Sequence, residues 1–251
     1  MWDGSFLYSL FNALAVLTVT LYNLLQYKKK RLILGGVSHS LISYFQEKET
    51  CGLGKILGNV TFWVVVETVI ITAAQYYSAA FLNTPFGNIF DSGANYFGLV
   101  FFAPLLVVVF CAVLKIDALD QLDLITPAYP LGLTISKVAC YFAGCCRGVE
   151  WEKGFYNPVS QRMEFPAQLL EAGVAFLIFI VLLIFKNKFS KGTVFPAYLI
   201  IYSATRFFTE FTRCEPNVFM GLKIYQILCL VGIVVGVAEY FIVRAFRDNR
   251  N

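Results

Sequence analysis

Long apolar runs separated by short polar segments dominate the hydropathy pattern of this chain. Seven such runs can be drawn, each close to the roughly 20 residues with which an α-helix crosses a hydrocarbon core. They cover residues 5–27, 57–81, 96–114, 124–144, 167–185, 194–211 and 224–246. Inside a bilayer the backbone polar groups have no water to bind, so runs this long and uniform satisfy them as helices. The pattern predicts an all-α polytopic membrane protein of about seven transmembrane helices.

The basic residues between the runs predict the orientation. Thirteen of the 20 lysines and arginines lie in one alternating set of loops and five lie in the other, while Lys137 and Arg206 fall inside runs. Cytoplasmic loops of membrane proteins carry the excess of basic charge. The N-terminus is therefore predicted outside, and the C-terminus in the cytoplasm.

Composition agrees with this class of protein. Of the 251 residues, 58% are hydrophobic and 14% are charged, whereas soluble domains are about 45–50% apolar and about 25% charged. We see no separate soluble domain, so residues 1–251 are interpreted as one transmembrane helical domain. The net charge is only +4, and no basic segment interleaves with aromatic residues, which argues against a nucleic-acid partner.

Charged groups inside the runs indicate a polar cavity. An ionised side chain at the bilayer centre costs about 2.5–3.5 kcal/mol, so such residues usually face a bundle interior or a wet cavity. Arg206, Glu210 and Arg213 have the spacing of one helical face, which predicts a charged cavity near the outer leaflet. Gln168 and Glu171 begin the fifth run on a common face. They either cap this helix and balance the arginines or line the same cavity.

The cysteines leave several interpretations open. The chain has seven, at positions 51, 111, 140, 145, 146, 214 and 229. Their spacings match neither CxxC redox pairs nor Cys/His zinc frameworks. Arg147 beside Cys145 and Cys146 favours thiolate, while inert buried thiols or a disulfide with Cys214 are the alternatives. We find no metal-binding or cofactor motif, and the only histidine, His39, lies on the predicted cytoplasmic side.

Prolines lie near the start of the fourth run, and glycines lie at its outer end. Pro127 and Pro130 predict a kink or a broken start to its helix. At its outer end, Gly144 and Gly148 let the backbone approach another helix or a headgroup.

Four motifs in order then resemble the bacterial prolipoprotein diacylglyceryl transferases. They are DLITPAYPLG at 123–132, SKVACYFAGCCRG at 136–148, FPAQLLE at 165–171 and YSATRFFTEFTRCEP at 202–216, and Gln226 follows in the last run. The resemblance covers a core of about residues 122–240, and the N-terminal helices in 1–121 are less recognisable. The family has seven spans in the orientation predicted above.

The resemblance implies a function. Enzymes of this family move a diacylglyceryl group from phosphatidylglycerol to the thiol of a lipobox cysteine and release glycerol phosphate. It implies a multi-pass transferase of the bacterial plasma membrane, without a cofactor, whose partners are a phosphatidylglycerol-type donor and a lipobox-containing prolipoprotein. A divergent transferase that moves a related lipid group or uses another acceptor is an equally open alternative. The implied catalytic residues are Arg206, Lys137, Cys145 and Glu171, and the implied substrate-binding residues are Arg213, Glu210, Gln168, Tyr96, Arg147 and Gln226.

The chain departs from the family pattern where acid–base chemistry is expected. The family's histidine, in an HGG motif of the third helix, has no equivalent, and residues 96–98 (Tyr-Phe-Gly) are the nearest segment. Lys137 replaces the signature arginine, Cys140 an asparagine and Cys145 a glutamate. The proton of the acceptor must then pass to Tyr96, to Glu171, to a cysteine, or leave by the acceptor's own ionisation.

Two other classes of function fit part of the pattern. A lipid- or anion-binding carrier would use the arginine face only to cradle a phosphate, although no internal symmetry of the kind seen in transporters is visible. A membrane thiol oxidoreductase would use Cys145, Cys146 and Cys214, although it lacks a CxxC pair.

Overall fold

The computed structural model describes residues 96–113 and 117–248, together with twelve helical positions between residues 7 and 25. The chain divides into two compact units, one formed by residues 1–15 and 129–251 and the other by residues 16–128. The second predicted run (57–81), the polar segments on either side of it and His39 lie outside the described residues.

The described elements are six α-helices, one 3₁₀ helix and two β-hairpins. The helices are α1 (Tyr96–Val113), α2 (Ala118–Ile125), α3 (Ala128–Ala143), α4 (Ala167–Phe185), α5 (Val194–Thr209) and α6 (Ile224–Asp248), with the 3₁₀ helix at Glu210–Thr212. The strands are β1 (Glu150–Asn157), β2 (Arg162–Glu164), β3 (Asn217–Phe219) and β4 (Leu222–Lys223), paired antiparallel as β1–β2 and β3–β4.

The helices agree closely with the predicted runs. α4 has the predicted bounds, while α1 and α6 differ from theirs by one or two residues. Within the described part of the chain, α4 and residues Ile224–Arg247 of α6 are long and apolar enough to cross a membrane. Both present large exposed apolar side chains, such as Leu177 on α4 and Val234 on α6, as a lipid-facing surface would.

The fourth predicted run is broken, as its prolines predicted. α2 starts after Asp117, whose carboxylate accepts from the backbone N–H groups of Leu119 and Asp120, and it ends at Ile125. A turn at Thr126 and Pro127 follows, and α3 starts at Ala128. A proline just before a helix needs no intrahelical donor, so the break falls where the missing N–H costs least.

The segment between the fourth and fifth predicted runs contains an ordered hairpin, which sequence analysis missed. β1 and β2 pair over Asn157↔Arg162 and Tyr156↔Met163, and the register shifts between Glu150 and Phe155. Almost every residue of β1 is exposed, so the strand lacks the apolar alternation that signals a half-buried sheet.

α5 forms the centre of the larger unit and packs against α4 and α6. The rings of Tyr198 and Tyr202 stack at 5.8 Å, and Tyr129 of α3 lies 5.9 Å from Tyr198. On α6, a Cβ at Gly236 would come within 2.8 Å of Ile200 Cγ1. A small residue at this crossing lets the backbones of α5 and α6 approach closely.

Candidate active site

Five charged side chains from four elements converge at one end of the larger unit. We call this set the charged cluster: Lys137 of α3, Glu171 of α4, Arg206 of α5, Glu210 of the 3₁₀ helix, and Arg213 directly after it. Apart from Lys137, which is slightly more exposed, all of them are buried. Buried charges persist when they are paired, so the contacts within the cluster hold it together.

Glu171 is the centre of the cluster because it contacts three cations. Its Oε1 accepts from Nη1 of Arg206 at 3.1 Å and from Nη1 of Arg213 at 3.2 Å. Its Oε2 lies 2.7 Å from Nζ of Lys137. One carboxylate therefore joins α3, α4, α5 and the segment after the 3₁₀ helix, so Glu171 balances the charge of the arginines, and whether it also lines a substrate cavity stays a prediction.

Arg206 is held on both sides. Its Nη2 lies 2.6 Å from Oε2 of Glu210, one turn further along the chain, while Nη1 reaches Glu171. The ring of Tyr225, in the first turn of α6, lies 5.7 Å from the Arg206 guanidinium carbon, within the range of a cation–π contact. Sequence analysis did not select Tyr225, since a single aromatic in an apolar run carries no distinguishing signal.

Lys223 is a further buried cation that sequence analysis assigned to a loop. Its Nζ donates to the carbonyl oxygens of Glu210 (2.7 Å) and Arg213 (2.5 Å). Those carbonyls lie at the end of the 3₁₀ helix, where a cation also offsets the negative end of the helix dipole. Gln226, predicted to bind substrate, accepts from the Lys223 N–H and donates to the carbonyl of Phe207 at 3.5 Å, so its amide supports this turn.

The backbone around Arg213 is fixed by an isolated antiparallel bridge between Gly148 and Arg213. The Val149 N–H donates to the carbonyl of Thr212 (2.9 Å), and the Cys214 N–H donates to that of Arg147 (3.0 Å). A Cβ on Gly148 would lie 2.0 Å from the carbonyl oxygen of Phe165. Another backbone therefore does approach Gly148 closely, but it is that of Phe165, before α4, and of Thr212 in the 3₁₀ helix, and not that of another long helix as predicted.

Three thiols lie next to the charged cluster. The Sγ atoms of Cys140, Cys145 and Cys146 all lie within 4.8 Å of one another, and these three form no disulfide, nor do Cys214 and Cys229. Gln168 of α4 donates to the carbonyl of Cys145 at 2.7 Å. Gln168 therefore holds the cysteine loop in place, while Glu171, one turn further on, holds the cations.

Cys146 differs from its neighbour Cys145 in its electrostatic surroundings. Hydrogen bonds from Cys140 and Cys145 lower the pKa of the Cys146 thiol, and the positive charges of Lys137 and Arg213 act in the same direction against burial. The pKa of Arg213 is in turn raised: burial opposes its charge, but Glu171 and Cys146 outweigh that cost. The predicted catalytic residue Cys145 is exposed, so Cys146 is the thiol directed towards the cations.

The remaining predicted residues lie further out. Arg147 is half-exposed, with Nη1 4.0 Å from Oε1 of Glu164. Glu164 itself is buried and accepts from Asn157 and Ser160, which joins Arg147 to the β1–β2 hairpin. Tyr96 is the first residue of α1 and belongs to the other compact unit, so it is described apart from the cluster.

The sequence matches the prolipoprotein diacylglyceryl transferase family over residues 6–242. This chain belongs to that family. The match begins at residue 6, whereas the motifs alone indicated a core of about 122–240. The predicted family and the predicted class of enzyme, a transferase, are confirmed, and family membership together with the apolar helices identifies a membrane protein.

Curated relatives carry the name phosphatidylglycerol–prolipoprotein diacylglyceryl transferase. The chain is 28% identical to the one from Clostridium tetani over 203 residues, which is 76% of this chain and 77% of the relative. It is 27% identical to the one from Campylobacter lari over 241 residues, 85% of this chain and 87% of the relative. Identity to the one from Chlorobaculum tepidum is 34%, over 49% of this chain and 46% of the relative.

Proposed function

We propose that this protein transfers a diacylglyceryl group from a phosphatidylglycerol-type phospholipid to the thiol of a lipobox cysteine, with release of glycerol phosphate. Donor and acceptor are the ones named for its relatives. The observation that carries the proposal is the buried cluster in which Lys137, Arg206 and Arg213 share the carboxylate of Glu171.

Three convergent cations suit a phosphate ester as donor. A guanidinium offers paired donors to phosphate oxygens, and pre-positioned cations stabilise the charge that develops as the carbon–oxygen bond to the phosphate breaks. We assign Arg206, Arg213 and Lys137 to the phosphate. Glu171 is a positioning residue in this assignment, because both of its oxygens already contact cations.

The other predicted residues are assigned supporting roles. Glu210 orients Arg206, and Gln168 fixes the loop of Cys145 and Cys146. Gln226 supports the turn at Lys223. Arg147, half-exposed beside the hairpin, is assigned to the approach of substrate, and Tyr96 keeps its proposed contact with substrate.

The finer membrane arrangement is part of the same proposal. We assign the protein to the bacterial plasma membrane as one multi-pass domain, with seven spans, the N-terminus outside and the C-terminus in the cytoplasm. The excess of basic residues in one set of loops supports this orientation. It puts the charged cluster at the outer leaflet.

The decisive experiment uses purified protein in phosphatidylglycerol vesicles with a synthetic lipobox peptide that bears one cysteine. Intact mass spectrometry of the peptide should show a gain of one diacylglyceryl unit. Arg206→Ala should abolish the gain, because the buried arginine that joins Glu171 to Glu210 is lost. The matched control is Arg162→Ala, which removes a largely exposed guanidinium of the β1–β2 hairpin and should leave the gain unchanged.

Each failure identifies a different function. Phosphatidylglycerol bound or moved across the bilayer, with no mass gain in the peptide, would identify a carrier. If Cys145→Ser and Cys146→Ser abolish the activity while Arg206→Ala retains it, the chemistry depends on the thiols and not on the phosphate site, as in an oxidoreductase.

A further inference from the structure

The cluster of Cys140, Cys145 and Cys146 has a geometry that the spacing of these residues does not reveal. The first thiol lies at the end of α3 and the other two follow the turn at Gly144, whose φ is +66°. Cys146 also adopts a left-handed conformation, with φ +58°, which costs free energy in a non-glycine residue and marks a position fixed by its surroundings. The turn folds the chain back and brings all three Sγ atoms within 4.8 Å.

This separation is close to that of three thiolate ligands on one metal ion. Zinc–sulfur bonds of about 2.3 Å in a tetrahedral site place neighbouring sulfur atoms about 3.8 Å apart. The three thiols therefore need to contract by no more than about 1 Å, which rotation of the cysteine side chains supplies. Gln168 holds the Cys145 carbonyl, so the loop that carries two of the three ligands is anchored to α4.

The charges around the thiols favour such a complex. Three thiolates around Zn²⁺ carry one net negative charge, and both Lys137 and Arg213 lie close enough to Cys146 to interact with it electrostatically. An anionic metal complex beside two cations is stabilised, whereas a bare cation there would be repelled. Cys140 is buried and Cys145 is exposed, so a fourth coordination position would open on the accessible side.

We propose that Cys140, Cys145 and Cys146 hold a Zn²⁺ ion whose fourth position binds the thiol of the acceptor cysteine. This inference rests on the proposed function, because it supplies what the missing HGG histidine leaves open: a way to ionise the acceptor thiol. A thiol coordinated to zinc is deprotonated by the metal. Sites with three protein ligands and one open position are the pattern of catalytic rather than structural zinc.

The transfer step balances with the groups named. The acceptor thiol binds zinc as thiolate and releases its proton to water. Its sulfur lone pair attacks the glycerol carbon that bears the phosphate, a carbon–sulfur bond forms, and the carbon–oxygen bond to the phosphate breaks. The bonding electron pair leaves with glycerol phosphate, and Arg206 and Arg213 stabilise its negative charge. The zinc ion is neither oxidised nor reduced.

Metal binding is tested without turnover. Reduced protein, stripped with a chelator, is titrated with Zn²⁺ for stoichiometry by elemental analysis and with Co²⁺ for the sulfur-to-cobalt charge-transfer absorption. We expect one metal ion per chain. Cys146→Ser should lower the metal affinity more than about 100-fold, because loss of a ligand costs more than loss of an outer-shell group, which lowers it about 10–100-fold. Cys146→His should restore zinc binding, because imidazole is also a zinc ligand, and Cys214→Ser is the matched control with unchanged binding.

The acceptor is tested on the cobalt-loaded protein with the lipobox peptide and with its serine counterpart. The cysteine peptide should intensify the charge-transfer absorption by adding a fourth sulfur, and the serine peptide should not. No metal bound at the three cysteines, or a disulfide formed between two of them under the same reducing conditions, would overturn the site. No spectral response to the cysteine peptide would overturn the role of the fourth position.

Failure of this inference is distinguishable from failure of the proposed function. If the peptide gains its diacylglyceryl unit at an undiminished rate after zinc is removed, the transferase function stands and the zinc inference is wrong. If metal binds and the peptide thiol coordinates it but no lipid is transferred from phosphatidylglycerol, the inferred site stands and the proposed donor is wrong.

Discussion

At the scale of single residues, Glu171 offsets the electrostatic repulsion between the buried cations. Lys137, Arg206 and Arg213 come from three separate segments and meet at its two oxygens. Without a shared carboxylate, three positive groups in a poorly solvated site would repel one another and their segments would separate. Glu171 is therefore as much a structural element of the larger unit as a part of its chemistry.

Glu171→Gln should destabilise the protein and reduce transfer. The amide keeps the shape of the side chain but cannot neutralise the cations, and removal of one partner from a buried pair costs about 3–5 kcal/mol. We expect a lower thermal unfolding midpoint in detergent, with Glu152→Gln, an exposed glutamate on β1, as the unchanged control.

A second measurement on this variant separates the charge effect from a general loss of packing. Addition of phosphatidylglycerol should raise the unfolding midpoint of Glu171→Gln more than that of the unchanged protein, since ligand binding stabilises the folded state and the unbalanced cations then bind phosphate more tightly. An equal shift in both proteins would refute the assignment of these cations to the phosphate.

At the scale of elements, the site depends on a short junction of three segments. The segment after α3, the segment before α4 and the segment after the 3₁₀ helix are joined by backbone hydrogen bonds at Val149, Phe165 and Cys214. Gly148 lies at the centre of this junction, where a side chain has no room. The position of Arg213 is thus set by backbone pairing as well as by its ion pairs.

Gly148→Ala should disrupt the junction and displace Arg213. Its Cβ would overlap the carbonyl oxygen of Phe165, and overpacking of this kind costs about 1–3 kcal/mol. We expect a lower unfolding midpoint together with reduced transfer to the lipobox peptide. The matched control is Gly173→Ala on α4, where a Cβ meets no described atom within 4 Å. This variant should keep or slightly raise the stability of the protein, because alanine favours helix. Equal behaviour of the two variants would contradict the role of the junction.

At the scale of the whole molecule, the orientation in the membrane is the property that links the site to its substrates. The β1–β2 hairpin turns at Pro158–Gln161, between Asn157 and Arg162, on the side that carries few basic residues. α6 ends at Asp248, close to Arg244 and Arg247, on the side that carries many.

Paired reporters should therefore respond on opposite sides of the membrane. A reporter active only in the cytoplasm should work after residue 248, and a reporter active only outside should work when inserted in the turn at 158–161, because basic loops are retained in the cytoplasm. Exchange of the two reporters is the internal control. Activity of both on the same side would exclude the proposed arrangement, because it has three spans, an odd number, between the turn at 158–161 and residue 248.

The parts of this architecture that sequence analysis could predict are those encoded by local patterns. The bounds of α4 follow from a sustained apolar run, and the shared face of Arg206, Glu210 and Arg213 follows from helical spacing. The break before α3 follows from Pro127. Each of these features depends on residues close together in the chain.

The remaining features depend on partners that local sequence does not identify. Lys223 binds two backbone carbonyls, and a carbonyl group is common to every residue. The three thiols converge through the left-handed turn at Gly144 and Cys146, which spacing rules for zinc sites do not include. The β1–β2 hairpin carries exposed aromatic residues instead of apolar alternation, so the local pattern does not predict it.

The three-way contact of Glu171 also has a kinetic consequence. In the proposed mechanism, a donor phosphate that enters the cluster replaces a carboxylate already bound there, so recognition is a ligand exchange and not an addition to free cations. After transfer the carboxylate can reclaim its contacts with Arg206 and Arg213, and this return favours departure of the glycerol phosphate and readies the site for another donor.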